Sequence, residues 1–153
     1  MNSHAERMIF AISGVPGSTE ACATRGDSEM FETLQAYYSI AAQAAVAADG
    51  RFIKAMGDGV LLSFPIDRAV EAIHELRAFQ KRSTMLWHSF DERCYVQVKV
   101  GAGTVQCGLM GPPGAERDDL VGNALNTLCK AAWTGFDISP DVAALLADRQ
   151  NAG

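Results

Sequence analysis

The order of apolar and polar positions predicts alternating strands and helices. Residues 8–12 form a short apolar run that stops at a loop containing Gly and Pro, which is typical of a buried strand. After a capping Asp27 or Ser28, apolar side chains recur at helical spacing as far as Gly50, which we expect to end the helix. The predicted inward face comprises Met30, Leu34, Tyr37, Ala41, Ala44 and Ala48.

A hairpin and a second helix are predicted next. Apolar runs at 52–56 and 60–64 flank the tripeptide Gly57-Asp58-Gly59, a pattern that favours a β-hairpin. Pro65 ends the second strand, and Asp67 is placed to cap the following helix. The inward positions of that helix are predicted to be Val70, Ile73, Leu76 and Phe79.

The second half of the chain predicts further strands and two helices. Residues 95–100 alternate, with Lys99 on the polar face, and Gly101-Ala102-Gly103 separates them from a second run at 104–107. A Gly- and Pro-rich loop follows at 108–114, the later part of 119–132 predicts a helix, and Ser139-Pro140 starts another. This order predicts an α+β sandwich, with helices over a mainly antiparallel sheet, in a single domain spanning 1–153.

Composition narrows the function classes. The 153 residues are 48% apolar and 20% charged, as in an ordinary folded domain, and the net charge of −5 argues against nucleic acid or an anionic membrane as partner. The charge-free stretches at 33–48 and 100–115 are shorter than a membrane-spanning helix of about 20 residues. The first residues lack the pattern of a signal peptide, so we expect a cytoplasmic protein.

Cysteine and histidine spacing disfavours a structural zinc site. The sequence contains no CxxC pair, and its three histidines form neither HxH nor HExxH. We therefore expect buried or half-buried free thiols at Cys22, Cys94, Cys107 and Cys129.

Four blocks of the chain form a recognisable series. GRFIKAMGDGVLLSFP with DRAVEA lies centrally, VPGSTEACATRGDSEMFETLQAYY precedes it, and VKVGAGTVQCGLMGPPGAERDDLVGNALNTL and TGFDISPDVAALL follow. In this order they resemble the catalytic domains of class III nucleotidyl cyclases, the adenylate and guanylate cyclases. The resemblance implies a ferredoxin-like, palm-type fold and a dimer whose sites are built from both protomers. It also implies conversion of ATP or GTP to a cyclic nucleotide and pyrophosphate, with two Mg²⁺ or Mn²⁺ ions.

Five residues match functional positions of that family. The resemblance implies that Asp58 is the second metal-binding aspartate, that Lys54 and Asp119 form a purine-selecting pair suited to adenine, and that Asn126 orients the ribose. Lys130 stands where the family has an arginine for transition-state charge. Without the resemblance, the same residues also fit structural roles: a turn-forming Asp-Gly and solvated side chains on a strand, a loop and a helix.

Two departures bear on catalysis. Alignment on Gly17-Ser18-Thr19 puts Gly14 at the position of the family's first metal-binding aspartate, whereas alignment on Phe10-Ala11 deletes that position before Ile12. Neither alignment places a carboxylate there, and the nearest ones lie six or more residues from Gly14 in sequence. At Lys130 the positive charge survives but the guanidinium fork does not, a type of loss that typically costs about 10²–10³ in rate. Losing one of two metal-bridging carboxylates is the more severe change, because the metals supply both the template and the Lewis acid. Residues 130–138 also look shortened against the family.

Three functions follow from this pattern. The chain is a weak or inactive, degenerate cyclase that acts as a dimeric regulatory or nucleotide-binding module, an active homodimeric adenylate cyclase, or a half-site partner in a heterodimer with a complete cyclase. The missing carboxylate favours the first. An RNA-binding sheet is disfavoured, because the chain is acidic and Tyr95 is a lone aromatic on its strand rather than a stacking platform.

Overall fold

The structure contains the predicted hairpin and long helices in their predicted order, and it adds three short elements at 18–25, 117–121 and 136–138 that were not predicted. The computed structural model describes residues 2–151, and side chains through residue 149. The strands are β1 Ser3–Gly14, β2 Arg51–Met56, β3 Gly59–Pro65, β4 Gln97–Met110, β5 Arg117–Val121 and β6 Phe136–Ile138. The helices are α1 Ser18–Arg25, α2 Asp27–Ala47, α3 Ala69–Phe90, α4 Asn123–Lys130 and α5 Pro140–Asn151.

The strands form one mainly antiparallel sheet, which confirms the predicted fold class. Their order is β2-β3-β1-β4-β5, and β6 pairs in parallel with β4. The long strands β1 and β4 pair along their whole shared length, from Ser3 opposite Gly108 to Gly14 opposite Gln97. β1 and β4 are therefore the central strands of the sheet: β3 pairs with β1, β5 and β6 pair with β4, and β2 pairs with β3 at one edge.

The two faces of the sheet are covered unequally. Alternate residues of β1 point to opposite faces, so Ile9 and Ala11 belong to one core and Met8 and Phe10 to the other. The first core also contains residues of α2, α3 and α5, among them Tyr37, Leu76, Trp87 and Val142. The second core is closed by Leu125 and Leu128 of the short helix α4. Because α4 has only eight residues, part of this face is left for a cavity.

The predicted break at Gly101-Ala102-Gly103 is wrong, since β4 runs through it without a turn. A Cβ on Gly101 would lie 2.8 Å from Cε2 of Phe10, and one on Gly103 would lie 2.7 Å from the Cβ of Ala124. Such distances are too short for real Cβ atoms, so the glycines are needed for the close packing of α4 on β4.

Gly50 stands after α2 as predicted, but for another reason. Asp49, with φ of 59°, adopts the left-handed conformation after the helix. A Cβ on Gly50 would lie 2.2 Å from the carbonyl oxygen of Ser63, so the missing side chain lets α2 approach β3.

The start of α3 also differs from the prediction. Asp67 lies in a 3-10 turn before the helix, and no side chain caps its N-terminus. Leu76 and Phe79 are buried as predicted, whereas Val70 is 44% exposed and Ala69 and Ala72 face the core instead. The inward stripe is therefore rotated by one residue at its start.

The cysteines are free. Cys94 and Cys107 are buried and Cys22 is half-buried, but Cys129 is exposed, which corrects the expectation for that thiol. Within residues 2–151, no helix combines the length and the apolar character needed to cross a membrane.

Candidate functional site

The hairpin that carries Asp58 lies beside the end of β1. Ser13 pairs with Val60, so the next antiparallel step places Gly14 next to Gly59. The hairpin loop is Gly57-Asp58, and Gly57 has a φ of 57° that a residue with a side chain rarely adopts. The fold thus brings together the two positions that the resemblance assigns to metal binding.

Asp58 is held by a neutral hydroxyl. The Oγ of Ser18 donates a hydrogen bond of 2.6 Å to Oδ2 of Asp58, and Ser18 is buried at the start of α1. On the other side of the loop, the hydroxyl of Tyr38 donates to the carbonyl oxygen of Gly57. Partial burial and the Asp58 carboxylate raise the pKa of Tyr38, so this hydroxyl keeps its proton.

The indole ring of Trp133 borders the space that a side chain at position 14 would enter. A Cβ on Gly14 would lie 3.6 Å from two ring carbons of Trp133. The Nζ of Lys99 lies 4.1 Å from the centroid of the same indole ring and donates to the carbonyl oxygens of Cys129 and Ala131, at 3.1 and 2.7 Å. A cation over the ring face and on the last carbonyls of α4 fixes Trp133 against the end of β1.

Lys99 and Trp133 were missed by sequence reasoning. Lys99 was placed on the polar face of its strand, but it is fully buried, and desolvation lowers its pKa. A sequence signal existed, since this lysine lies between Val98 and Val100 in an apolar strand. Trp133 lies in the segment that looks shortened, and no local pattern predicted its contact with Gly14.

These residues do not fit a pair of divalent metals. Two bridging ions need at least two carboxylates to offset their charge. Gly14 contributes none, its side-chain space borders Trp133, and Asp58 accepts a hydrogen bond from Ser18.

The predicted purine-selecting residues are brought together within one protomer. Lys54 lies in β2 after a bulge, and its Nζ is 2.9 Å from Oδ2 of Asp119 in β5. The side chains are 27% and 20% exposed, so the pair is partly shielded from water. The other oxygen of Asp119 accepts a hydrogen bond of 2.8 Å from the backbone N–H of Leu120, which fixes the carboxylate.

A cavity of about 340 Å³ adjoins this pair on the α4 face of the sheet. Its walls are mainly apolar, with Lys54, Ser13 and Asn126 as polar groups. This combination suits a flat, partly polar ligand. The lining residues are Ile12, Ser13, Lys54, Met56, Gly59, Val60, Leu61, Leu120, Leu125, Asn126, Cys129 and Trp133.

Asn126 and Lys130 differ in their relation to the cavity. Asn126 lies on α4, lines the cavity and remains exposed, so its amide is free to meet a ligand. Lys130 is the last residue of α4, is exposed, and is not among the described residues that line this cavity. Within one protomer the structure therefore groups Lys54, Asp119 and Asn126 and leaves Lys130 outside.

Solved structures place this fold. The adenylyl cyclase CyaB from P. aeruginosa superposes with a TM-score of 0.85 over 97% of this chain and 84% of its own, at 18% identity. The fold is that of a class III cyclase catalytic domain. The guanylate cyclase domain of RhGC from Catenaria anguillulae, solved with GTP, gives a TM-score of 0.79 at 16% identity, over 95% of this chain and 84% of its own.

A bacterial light-regulated adenylyl cyclase shares the cyclase fold at a TM-score of 0.79 and 18% identity. This chain aligns over 95% of its length but spans about half, 46%, of that longer protein. No protein-family model matches the sequence. No curated protein matches it either. The backbone therefore matches the cyclase fold although the sequence identity to these structures is only 16–18%.

Proposed function

We propose that this chain is a degenerate cyclase-fold module that binds a purine nucleotide and does not cyclise it by itself. It acts as a regulatory dimer in cyclic-nucleotide signalling. The observation that carries the proposal is a contrast between two parts of the site: the purine half, formed by the residues assigned to the base, and the metal half, formed by the positions assigned to metal binding. Lys54 and Asn126 line one cavity and Asp119 pairs with Lys54, whereas Gly14 carries no carboxylate and faces Trp133.

The charged pair supports adenine as the preferred base. Adenine carries an exocyclic amino group at the ring carbon where guanine carries a carbonyl oxygen, and a ring nitrogen next to that carbon is an acceptor in adenine. A carboxylate accepts from an amino group and an ammonium donates to a ring nitrogen, so Asp119 with Lys54 complements adenine. The guanylate cyclase domain of RhGC, which was solved with GTP, has the same fold, and this supports a nucleotide in this cavity.

The site offers too little negative charge to hold the two metal ions that cyclisation requires. A triphosphate with two dications requires anionic ligands from the protein, and Asp58 is the one carboxylate assigned to this role. Its Oδ2 accepts from Ser18, and the second ligand position is Gly14. Binding of the base does not depend on Asp58 or on position 14, so the chain would bind a nucleotide without cyclising it.

A second candidate function rests on the same contrast. In the cyclase fold each site uses both protomers, so a chain with an intact purine half could complete a site whose metal half comes from another cyclase. The 2.9 Å pair of Lys54 with Asp119, next to Asn126, is the half that this chain would lend.

The test combines binding with product analysis. ATP and GTP binding is measured by calorimetry, and cyclic nucleotide is measured by mass spectrometry with excess Mn²⁺. Native protein should bind ATP more tightly than GTP and release no product. Lys54→Met should weaken ATP binding by roughly 10- to 150-fold, the cost of a charge-assisted hydrogen bond. Lys81→Met, an exposed lysine on α3, is the matched control and should bind normally.

Two results would overturn the proposal. Failure of the native chain to bind either nucleotide would remove the nucleotide module. Turnover that disappears in Asp58→Asn would show an active cyclase in which another group replaces the missing carboxylate.

A further inference from the structure

A cluster of three potential metal ligands lies at the start of β1, apart from the cavity. Within residues 2–149, the imidazole of His4, the carboxylate of Glu6 and the thiol of Cys107 bring one ligand atom each within 4.8 Å of one another. His4 Nε2 lies 3.2 Å from Oε1 of Glu6 and 3.9 Å from Sγ of Cys107. None of the three lines the cavity beside Lys54 and Asn126.

The sheet register creates this cluster. His4 and Glu6 are two residues apart on β1 and therefore point to the same face. Cys107 on β4 is the direct antiparallel partner of His4. The pairing of β1 with β4 sets the spacing of side chains across the two strands. The grouping of the three residues therefore follows from the backbone and not from one rotamer alone.

Two of the three ligand separations are close to those of a tetrahedral zinc site. Zinc binds thiolate sulfur at about 2.3 Å and imidazole nitrogen or carboxylate oxygen at about 2.0–2.2 Å, so its ligand atoms lie about 3.3–3.6 Å apart. The His4–Glu6 and His4–Cys107 separations of 3.2 and 3.9 Å bracket that range, and all three ligand atoms lie within 4.8 Å of one another, so the side chains would close around the ion on binding. A sulfur, a nitrogen and an oxygen ligand together favour zinc over the oxygen-seeking Mg²⁺.

The charge and accessibility of the cluster also suit a dication. The Glu6 carboxylate and a Cys107 thiolate would supply two negative charges, which balance Zn²⁺. His4 and Glu6 are 66% and 53% exposed, so an ion can reach them, while Cys107 is buried and offers its sulfur from below. The nearby Arg51 is already engaged by Asp118, so its positive charge is offset.

We propose that His4, Glu6 and Cys107 bind one Zn²⁺ ion, with a water as the fourth ligand. His4 and Cys107 also line a cavity of about 180 Å³, which has room for that water. Binding exchanges the thiol proton for the metal, with no change in oxidation state. The ion links the start of β1 to β4 and stabilises the folded chain.

The sequence pattern gave no sign of this site. His4 and Cys107 are 103 residues apart, so no short spacing rule applies to them. The ion pair of His4 with Glu6 would not by itself indicate a metal site. The thiol of Cys107, opposite His4 on β4, adds the third potential ligand.

The first experiment titrates the reduced full-length chain with Co²⁺ and then with Zn²⁺. Cobalt bound to a thiolate absorbs in the near ultraviolet, which reports Cys107 directly, and excess Zn²⁺ should remove the band. Zn²⁺ alone should raise the midpoint of thermal unfolding. His4→Gln, Glu6→Gln and Cys107→Ala should each lower the affinity by at least about 10- to 100-fold, the cost of losing even an outer partner of a ligand.

The controls use side chains of the same kinds outside the cluster. Cys129→Ala removes an exposed thiol and His88→Gln an exposed imidazole, and both should bind cobalt and zinc normally. The exposed His4→Gln and Glu6→Gln changes keep the test sound even if Cys107→Ala impairs folding. The proposal is overturned if the native chain gives no thiolate band, or if the band persists in His4→Gln.

Discussion

At the scale of single residues, Trp133 borders the space that a side chain at position 14 would enter. A Cβ at position 14 would meet the indole at 3.6 Å, which is ordinary van der Waals contact. A carboxylate attached to that Cβ needs further room on the side of the ring. We therefore expect Trp133 to limit the space for a carboxylate at position 14.

We predict that Gly14→Asp alone will not create Mn²⁺ binding, whereas Gly14→Asp combined with Trp133→Ala will. Removing the indole opens the space beside Asp58, so two carboxylates can face the same ion. The double variant should bind Mn²⁺ at least about tenfold more tightly than either single one, or about 1.4 kcal/mol. Electron paramagnetic resonance of free Mn²⁺ measures this affinity, and adding Asp58→Asn should reverse the gain.

Lys99 is a second residue whose environment governs the site. Its ammonium group is fully buried, stacks on Trp133 and donates to two carbonyls near the end of α4. Burial lowers its pKa below the usual 10.5. Between the lowered pKa and 10.5 the unfolded chain binds more protons than the folded chain at this site, so stability rises with pH in that window.

We predict that Lys99→Met destabilises the protein by about 1–3 kcal/mol, because two carbonyls lose a charged donor. The difference in free energy of unfolding between native protein and variant should widen as pH rises toward 10.5, since the variant lacks this titration. Urea unfolding at a series of alkaline pH values measures both effects. A difference that stays constant with pH would contradict the lowered pKa.

At the scale of elements, the fit of α4 on β4 shapes the cavity. Gly101 and Gly103 leave no side chain between the two elements, so Leu125 and Leu128 reach the sheet. Asn126 lies on the same helix and lines the cavity. Any change that lifts α4 from the sheet moves this asparagine relative to Lys54.

We predict that Gly103→Ala costs about 1–3 kcal/mol of stability and weakens nucleotide binding. The added methyl group would lie 2.7 Å from the Cβ of Ala124, so α4 must shift. Thermal unfolding and ATP calorimetry measure the two effects. Thr104→Ala, at the exposed neighbouring position, is the control and should change neither. An unchanged ATP affinity in a clearly destabilised Gly103→Ala protein would separate the packing of α4 from binding.

At the scale of the whole molecule, the two halves of the proposed site differ in completeness. The purine half holds a paired lysine and aspartate beside an asparagine, and the metal half holds a single aspartate. A homodimer would place two incomplete metal halves opposite two purine halves. A heterodimer with a complete cyclase would join this purine half to an intact metal half.

We predict the outcome of mixing if the half-site function holds. The partner is a homodimeric adenylyl cyclase in which the purine-selecting lysine is replaced by Met, so that its own sites are silent. Adding the native chain should restore cyclic AMP formation, because Lys54 then recognises the base. Lys81→Met should restore it as well and Lys54→Met should not. No restoration by the native chain would leave the regulatory module as the better proposal.

Local patterns were sufficient to predict the fold class, the hairpin and the helices α2 to α5, but not the short elements α1, β5 and β6. The run from Phe52 to Phe64 with its central Gly-Asp-Gly predicted the hairpin, and the structure contains it. Residue spacing also predicted α2 and α5, since their signals lie within a few neighbouring positions. The roles of Asp58, Lys54, Asp119, Asn126 and Lys130 came from the resemblance and stay predictions until binding and turnover are measured.

By itself the sequence predicted the fold class, the hairpin and most of the helices, and it shows glycine rather than a carboxylate at position 14. These depend on local periodicity and on residue identity, which can be read along the chain. Only the tertiary structure decided that Trp133 faces Gly14, that Lys99 is buried beneath it, and that His4 meets Cys107. The reason is physical: such contacts join residues far apart in sequence, and strand register and helix packing set them, which no short window of residues encodes.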